Sequence, residues 1–138
     1  MSIVQTQTTS FKKELYQGIH DLSTDTIKIA LYTGNADLNE ATTVYSTTNE
    51  VSGTGYTAGG QVMTGVAISS SGSVAYVNWS NVSWTAALTA RCALIYNASK
   101  SNRSIAVLDF GADKTSTTTF TITMPANTST TALIRSSN

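Results

Sequence analysis

Few residues in this chain have side chains suited to catalytic chemistry. The sequence contains one histidine, His20, and one cysteine, Cys92, and it has no G-x-S-x-G motif around a serine nucleophile. His20 falls at the end of a predicted helix, where a cationic imidazole is favoured, so we expect it to cap that helix. Cys92 lies in a predicted strand beside Arg91, which would point to the opposite face, so we expect a buried, apolar thiol. These positions predict no catalytic residue and no enzyme activity.

Acidic residues and glycines give equally weak signals for a bound ion or cofactor. Asp109 and Asp113 would suit a glycosidase if they faced each other in a cleft, but both flank a predicted turn, where aspartate commonly bonds the backbone. Segment 35–40, N-A-D-L-N-E, resembles part of a calcium loop but lacks the D-x-[DN]-x-[DN]-G order. The glycines between residues 53 and 60 lack the lysine of a phosphate loop, so we expect them to allow positive φ or close backbone approach. We predict no metal and no cofactor.

The composition of the chain argues against several classes of partner. Only 12% of its 138 residues are charged, and the formal net charge is zero. A protein that binds nucleic acid or an anionic membrane would need an excess of Lys and Arg. No segment has the ~18 apolar residues of a membrane span, and no signal-peptide core is present, so we expect synthesis and folding in the cytosol and no membrane partner. We expect no small-molecule ligand either.

One long segment has no charge at all. Residues 51–90 contain no Asp, Glu, Lys or Arg and are rich in Ser, Thr, Gly and aromatic residues. Little electrostatic repulsion would oppose the association of such a surface with another protein. The segment is therefore typical of a protein that is covered in an assembly, although an ordinary β-domain with a polar face would also be consistent with it.

One segment near the N-terminus predicts a helix. Ser10 can cap it, and apolar residues then recur at helical spacing. Gly18 weakens the helix near its end. The apolar stripe, which we expect to pack on the core, consists of Phe11, Leu15, Ile19 and Leu22.

The rest of the chain predicts short strands. In residues 26–33 the apolar side chains alternate, so that Ile27, Ile29 and Leu31 share one face. Residues 1–9 predict an extended arm outside the core, and residues 10–138 predict a single domain. The fold class is all-β: a jelly-roll-like β-sandwich of about eight short antiparallel strands with one short N-terminal helix. The predicted strands are 26–33, 42–47, 61–69, 74–79, 90–98, 104–111, 117–124 and 131–135. Segments 61–79 and 90–111 are predicted hairpins, and 82–84 is predicted to continue strand 74–79 past a bulge.

Two tryptophans in the uncharged segment are candidates for binding a partner. Trp79 and Trp84, with Tyr76, have side chains that stack on carbohydrate and that are enriched at protein interfaces. Because the tryptophans are five residues apart, they would face opposite sides of an unbroken strand, so we expect one in the core and one exposed. The sequence does not separate a glycan partner from a protein partner.

Three longer segments resemble a known protein family. They are FKKELYQGIHDLSTDTIKIALYT (11–33), TTNEVSGTGYTAGG (47–60) and ARCALIYNASKSNRSIAVLDFGADKTSTTTFTI (90–122), of which NEVSGTGY (49–56), ALIYN (93–97) and LDFG (108–111) are the most specific pieces. From about Phe11 to Arg135 the chain resembles small virion proteins encoded by tailed bacteriophages. These motifs carry no chemistry, and the resemblance implies no catalytic residue.

The resemblance implies a structural role on the capsid surface of a virion. The function that we predict is cementing, in which a homodimer of this protein binds the outside of the phage capsid shell and holds neighbouring subunits of the major capsid protein together. The alternative is a tail or head-fibre component that recognises a host-surface glycan or protein. The residues that we expect to contact the partner are Ile3, Val4, Tyr56, Trp79 and Trp84.

Overall fold

The computed structural model describes residues 2–137; Met1 and Asn138, the first residue of the predicted arm and the last of the predicted domain, lie outside the described residues. One helix and ten strands form in this part of the chain. The helix is α1 (Thr9–Tyr16), and the strands are β1 (Thr6–Gln7), β2 (Ile27–Tyr32), β3 (Gln61–Val62), β4 (Ala67–Ser71), β5 (Val74–Asn78), β6 (Val82–Trp84), β7 (Thr89–Asn97), β8 (Arg103–Thr115), β9 (Phe120–Ile122) and β10 (Ile134–Ser136).

The largest layer is an antiparallel sheet of five strands in the order β1-β8-β7-β2-β3. Its centre is buried on both faces, because the alternating side chains of β2 enter two different clusters. Ile27, Ile29 and Leu31 belong to the main core, whereas Ala30 and Tyr32 belong to a smaller cluster on the opposite face. The alternation predicted for residues 26–33 is therefore confirmed, and both faces of the strand are covered.

A second layer covers one face of this sheet. It consists of a three-stranded sheet, β10-β5-β4, and a two-stranded sheet, β6-β9, all antiparallel. The side chains that these strands contribute to the main core include Val77, Val82, Trp84, Phe120, Ile122 and Ile134. The all-β sandwich with one short helix is confirmed, but the jelly-roll arrangement is not confirmed, since the sheets contain five, three and two strands.

The strand predicted over 61–69 is divided between the two layers. Gln61 and Val62 pair with β2, and Ala67–Ser71 pairs with β5 as the first half of a hairpin. Between them, Gly65 has a φ of 68°, a conformation that glycine adopts without steric cost. The prediction of one continuous strand was wrong because nothing in the apolar pattern of 61–69 marks the point at which the chain passes from one sheet to the other.

Two further strand predictions also differ from the structure. Residues 82–84 form β6, which pairs with β9 instead of continuing β5. Residues 42–47 make only an isolated bridge between Val44 and Arg103. The predicted hairpin at 90–111 is present as β7 and β8, and β8 extends further, to Thr115.

The N-terminal residues lie on the sheet. Thr6 and Gln7 pair with β8, and Ile3 forms a bridge with Leu38, so this segment is extended but not separate from the folded domain. The helix cap is Thr8, whose hydroxyl accepts a hydrogen bond from the Phe11 N–H at 3.3 Å. The prediction of Ser10 as the cap was wrong by two residues, because spacing alone does not distinguish neighbouring Thr and Ser residues.

Only part of the predicted helical stripe is buried. Phe11 is fully buried, but Leu15 is exposed and the helix ends at Tyr16. Gly18 lies just beyond that end with a φ of 72°, which is the conformation that commonly terminates a helix. Ile19 and Leu22 therefore follow the helix instead of extending its stripe.

Candidate interaction surface

His20 lies in a buried polar network. Its Nδ1 accepts a hydrogen bond from the Asn97 amide nitrogen at 3.0 Å, and its Nε2 donates to Glu14 Oε1 at 2.8 Å. Glu14 in turn forms an ion pair with Arg103, the first residue of β8, at 3.2 Å. Both ring nitrogens are occupied by protein groups, so the imidazole has no free lone pair with which to accept a proton from a substrate.

The helix-cap role predicted for His20 was wrong. The last helix carbonyls, which a capping side chain would satisfy, instead accept backbone hydrogen bonds: Glu14 from the N–H of Gln17 and Leu15 from the N–H of Gly18. His20 instead joins the segment after the helix to β7 through Asn97. The physical reason is that the helix ends four residues before His20. The imidazole therefore lies in the segment after the helix, where it bonds to Asn97.

The same network continues to a partly buried carboxylate, that of Asp25. Asp25 accepts hydrogen bonds from Asn97 at 2.8 Å and from Lys100 Nζ at 2.9 and 3.0 Å. Burial disfavours the charged form of Asp25, but the hydrogen bonds from Asn97 and Lys100 outweigh it and lower the pKa of the carboxyl to about 2. This arrangement fixes the loop before β2 to the β7–β8 turn, which is a structural role.

The other candidate reactive groups are also engaged or inert. Cys92 is fully buried, as predicted, and burial followed by the charge of Asp109 raises the pKa of its thiol to about 12. Asp109 binds Arg91 at 3.2 Å, and it also accepts a hydrogen bond from the Gly111 N–H. Asp109 and Asp113 both lie within β8 and do not flank a turn, so that prediction was wrong.

No group of three or more His, Cys, Asp or Glu side chains in residues 2–137 could hold a metal ion. Within segment 35–40, which resembles part of a calcium loop, Asp37 accepts a hydrogen bond from the Ser2 backbone N–H at 2.5 Å. Its carboxylate therefore holds the N-terminal segment against this loop. In the same described residues, no helix has the length and apolar character required to cross a membrane.

The charged residue just before the uncharged segment, Glu50, is the centre of a tyrosine cluster. Its carboxylate accepts hydrogen bonds from the hydroxyls of Tyr45 and Tyr56, both at 2.6 Å, and from the Gly59 N–H at 2.8 Å. Tyr96 stacks on Tyr45 with ring centroids 4.7 Å apart and donates to the Gly59 carbonyl. Burial, together with the nearby Glu50 charge, raises the pKa of Tyr96 to about 12.

This cluster was not found from the sequence, although a signal was present. Glu50 adjoins a long uncharged segment and has tyrosines five residues before it and six residues after it. Such a carboxylate is a candidate for burial, with the tyrosine hydroxyls as hydrogen-bond donors. Its effect is to fix the glycine-rich loop. Gly60 lies so close to β2 that a Cβ there would stand 1.8 Å from the Ile29 carbonyl oxygen, which confirms the expected close approach of backbone at this loop.

Three of the five residues predicted to contact a partner are buried. Tyr56, Trp79 and Trp84 belong to the main core, with exposed fractions of 8%, 5% and 2%. The prediction that one tryptophan is exposed was wrong, because β5 ends at Asn78 and β6 begins at Val82, so the two residues do not lie on one unbroken strand. Ile3 is half-buried against the smaller cluster, and Val4 is exposed.

The longest continuous exposed stretch of the uncharged segment is residues 64–73, which include β4 and the turn to β5. All five residues of β4 are exposed, and two large apolar side chains of this stretch are exposed, Ile68 at 55% and Val66 at 36%. We call residues 64–73 the neutral hairpin surface. It combines hydroxyl groups with two apolar side chains and has no charge.

An apolar groove of about 420 Å³ lies beside this surface, between α1 and the β10-β5-β4 sheet. Leu15 lines it from the helix, and Ile68, Val77 and Ile134 line it from the sheet. The groove extends the apolar character of the neutral hairpin surface towards the helix, where Tyr16 is 93% exposed.

A larger open groove of about 760 Å³ lies beside β9. Its apolar lining includes Leu108, Phe110 and Met124, and threonines form much of its rim. Lys114 is the one titratable side chain in its described lining, so the groove holds no pair of groups for general acid–base chemistry.

Comparison with known proteins found no match to this fold and surface: no family model, no curated protein and no solved structure matches the chain. The structure alone therefore defines the class of protein: an antiparallel β-sandwich with buried polar clusters engaged in internal bonds and with an exposed, uncharged hairpin.

Proposed function

We propose that this protein is a structural virion protein of a tailed bacteriophage, which binds the outside of the capsid shell and cements neighbouring subunits of the major capsid protein. The observation that carries the proposal is the neutral hairpin surface, a fully exposed strand with no charge and with Ile68 exposed to 55%. The resemblance of segments 11–33, 47–60 and 90–122 to phage virion proteins is our reason for proposing a phage capsid as the binding partner.

The physical basis is the low cost of covering such a surface. Burying Lys or Glu costs up to ~2 kcal/mol of side-chain entropy in addition to the desolvation of a charge. Ser and Thr lose less entropy and can exchange water for backbone partners, while apolar side chains such as Ile68 gain roughly 25 cal/mol for each Å² removed from water. A non-catalytic role agrees with His20, both of whose ring nitrogens are occupied within the protein.

The glycan-binding alternative has less support. It required an exposed tryptophan, and both Trp79 and Trp84 are buried. Tyr76, the remaining aromatic residue named for that role, is half-buried in β5. A tail or head-fibre position with a protein partner is distinguished from a shell position by copy number, since a shell protein would be present in hundreds of copies and a vertex protein in about six or twelve.

The proposal is tested with purified particles from which this protein has been removed. We expect the wild-type protein to rebind at many sites and to raise the temperature at which the shells release their contents. Val66→Lys places a charge in the neutral hairpin surface and should weaken rebinding at least 10-fold, or about 1.4 kcal/mol. Val44→Lys is the matched control, because Val44 is exposed to 48% but lies elsewhere.

Two results would overturn the proposal. The first is that shells release their contents at the same temperature with and without the protein. The other is an equal loss of rebinding in Val66→Lys and Val44→Lys, which would show that the neutral hairpin surface has no special role.

A further inference from the structure

The free edges of the sheets differ greatly in length. Among residues 2–137, β1 and β3 border the five-stranded sheet with two residues each, and β6, β9 and β10 have three residues each. β4 has five residues and a free edge, since β5 is its one neighbour. Short edge strands give little opportunity for pairing with another chain. The part of β8 that extends beyond β1 is longer, but it carries Asp109, Asp113 and Lys114, and charged side chains oppose edge pairing. Pairing is therefore favoured at β4.

β4 also lacks the features that normally block pairing at an edge. Proteins protect exposed edges with lysine, proline or a bulge. The sequence of β4 is Ala-Ile-Ser-Ser-Ser, without charge or proline. Its register with β5 is continuous from Ala67 opposite Asn78 to Ser71 opposite Val74, so it has no bulge.

The hairpin turn determines which backbone groups face the free edge. Gly72 and Ser73 form a two-residue loop, with φ of Gly72 at 59°. The residues that flank such a loop, Ser71 and Val74, form a hydrogen-bonded pair. Because these pairs alternate along an antiparallel ladder, the N–H and C=O groups of Ile68 and Ser70 point away from β5 towards solvent.

We propose that β4 pairs antiparallel with β4 of a second copy of this protein, around a two-fold axis at Ser69. In this register Ile68 of each copy lies opposite Ser70 of the other, and all of their outward N–H and C=O groups are bonded. The two three-stranded sheets become one sheet of six strands, in the order β10-β5-β4-β4-β5-β10. A register centred on Ile68 would instead place Ser70 opposite Val66, which lies outside β4.

A second copy suits this edge better than another chain because β4 is complementary to itself. Its side chains are small or apolar and uncharged, so no like charges meet across the axis. The edge is about 17 Å long, which by itself buries less than the roughly 1,200 Å² of a standard interface. The dimer is therefore weak in dilute solution and is favoured where copies are concentrated on a surface.

This inference deepens the proposed function, on which it rests for its biological setting, but the pairing itself is tested on the isolated protein. Ser69→Cys is the direct probe, because residues opposite each other in a non-hydrogen-bonded pair have Cα atoms about 4.5 Å apart, within disulfide range. Cys92 is fully buried and does not compete. We expect Ser69→Cys to form a disulfide-linked dimer under mild oxidation.

Ser73→Cys is the matched control on the same hairpin. In the proposed register its two copies are more than ~20 Å apart, since each residue of a strand spans about 3.3 Å. We expect cross-linking at least 10-fold slower than with Ser69→Cys. Equal rates in the two variants would overturn the register.

Sedimentation equilibrium of variants at Ser70 tests the backbone bonds. Ser70→Pro removes an N–H that faces the free edge and leaves the bonds between β4 and β5 in place, so it should weaken dimerisation at least 10-fold. Ser70→Ala keeps that N–H and should dimerise like the wild type. Circular dichroism establishes that both variants are folded.

The outcomes separate this inference from the proposed function. A wild-type protein that stays monomeric at millimolar concentration yet rebinds shells would overturn the β4 pairing and leave the cement role standing. A dimer that Ser70→Pro disrupts, in a protein that does not rebind shells, would support the pairing and contradict the cement role. Loss of shell rebinding in Ser70→Pro with no dimer at any concentration would assign the edge to a strand of the shell, and would also overturn the pairing.

Discussion

The two layers of the sandwich differ in charge far more than in burial. The strands of the five-stranded sheet contain six charged residues, which are Lys28, Arg91, Arg103, Asp109, Asp113 and Lys114. The five strands of the second layer contain one, Arg135. Both layers contribute to the same core, so folding does not require this difference. It is a property of the outer surfaces, and it is one reason for our proposal that the second layer faces another protein.

The polar groups of the two layers are also used differently. On the larger sheet and in the loops beside it they form internal bonds, as in the pairs of Arg91 with Asp109 and Lys100 with Asp25. On the second layer the exposed hydroxyls of β4 are free to exchange water for a partner. The comparison predicts that substitutions at the junction of the layers and in the internal clusters change stability, whereas those on the neutral hairpin surface change association.

The largest effect on stability is expected at the contact between the layers. Trp84 is 2% exposed and lies against Tyr56 and Phe120, with ring centroids 6.0 and 6.2 Å away. Trp84→Ala should lower the free energy of unfolding by about 3–5 kcal/mol, because it leaves a cavity that the core does not fill. Urea denaturation measures this loss, and Tyr16→Ala, at an exposed position, should change it by less than about 0.5 kcal/mol. A small loss at Trp84 would show that the layers do not share one core.

The next effect is expected in the tyrosine cluster. Glu50→Ala removes the acceptor for the hydroxyls of Tyr45 and Tyr56 and should lower the free energy of unfolding by about 2–3 kcal/mol. Glu40→Ala, at an exposed carboxylate, is the control and should be nearly neutral. Hydrogen exchange of the Gly59 N–H would show the loosened loop directly. Unchanged exchange in Glu50→Ala would contradict the role assigned to the cluster.

A smaller, pH-dependent effect is expected at Asp25. Because its folded-state pKa is lowered from 3.8 to about 2, the stability that it provides is present above pH 4 and is lost as the pH falls towards 2. At neutral pH Asp25→Asn should be less stable than the wild type by on the order of 1–2 kcal/mol, since Lys100 remains partly exposed to screening solvent. The difference between the two proteins should shrink between pH 4 and pH 2 in denaturation curves. A difference that is constant over this range would mean that the charge of Asp25 is not what stabilises the loop.

The smallest effect on stability is expected on the neutral hairpin surface. Ile68→Thr keeps a β-branched residue in β4 and should alter the free energy of unfolding by less than about 0.5 kcal/mol, because the side chain is mostly exposed. Thermal unfolding of the isolated protein measures this. A loss of 2 kcal/mol or more would place Ile68 among the core residues and would remove the contrast between the two layers.

The parts of the fold that depend on local sequence pattern were predictable. The alternation in β2, the β7–β8 hairpin and the buried Phe120 and Ile122 of β9 follow from period-two spacing and from turn residues. The helix was predicted with the wrong cap, since Thr8 and Ser10 can both accept the same type of bond. The divided strand at 61–69 was not predictable, because β-pattern does not specify which neighbour a strand will pair with.

The candidate surface was only partly predictable. The absence of charge in residues 51–90 pointed to the segment that contains the neutral hairpin surface, but the residues chosen within it, Tyr56, Trp79 and Trp84, are core residues. Large aromatic side chains bury the most apolar area wherever the core accepts them, so residue type alone does not distinguish a contact residue from a core residue. The exposed residue, Ile68, was distinguished by its place on an edge strand, which is a tertiary property.

The sequence by itself determined the antiparallel β class, the single short helix and the neutral character of the central segment, because these depend on local periodicity and on composition. Tertiary structure alone decided which polar groups are enclosed, as with Glu50 and His20, and which strand is left with a free edge, as with β4. The reason is that burial and strand pairing depend on residues far apart in the chain, and their positions are set only when the two layers pack together.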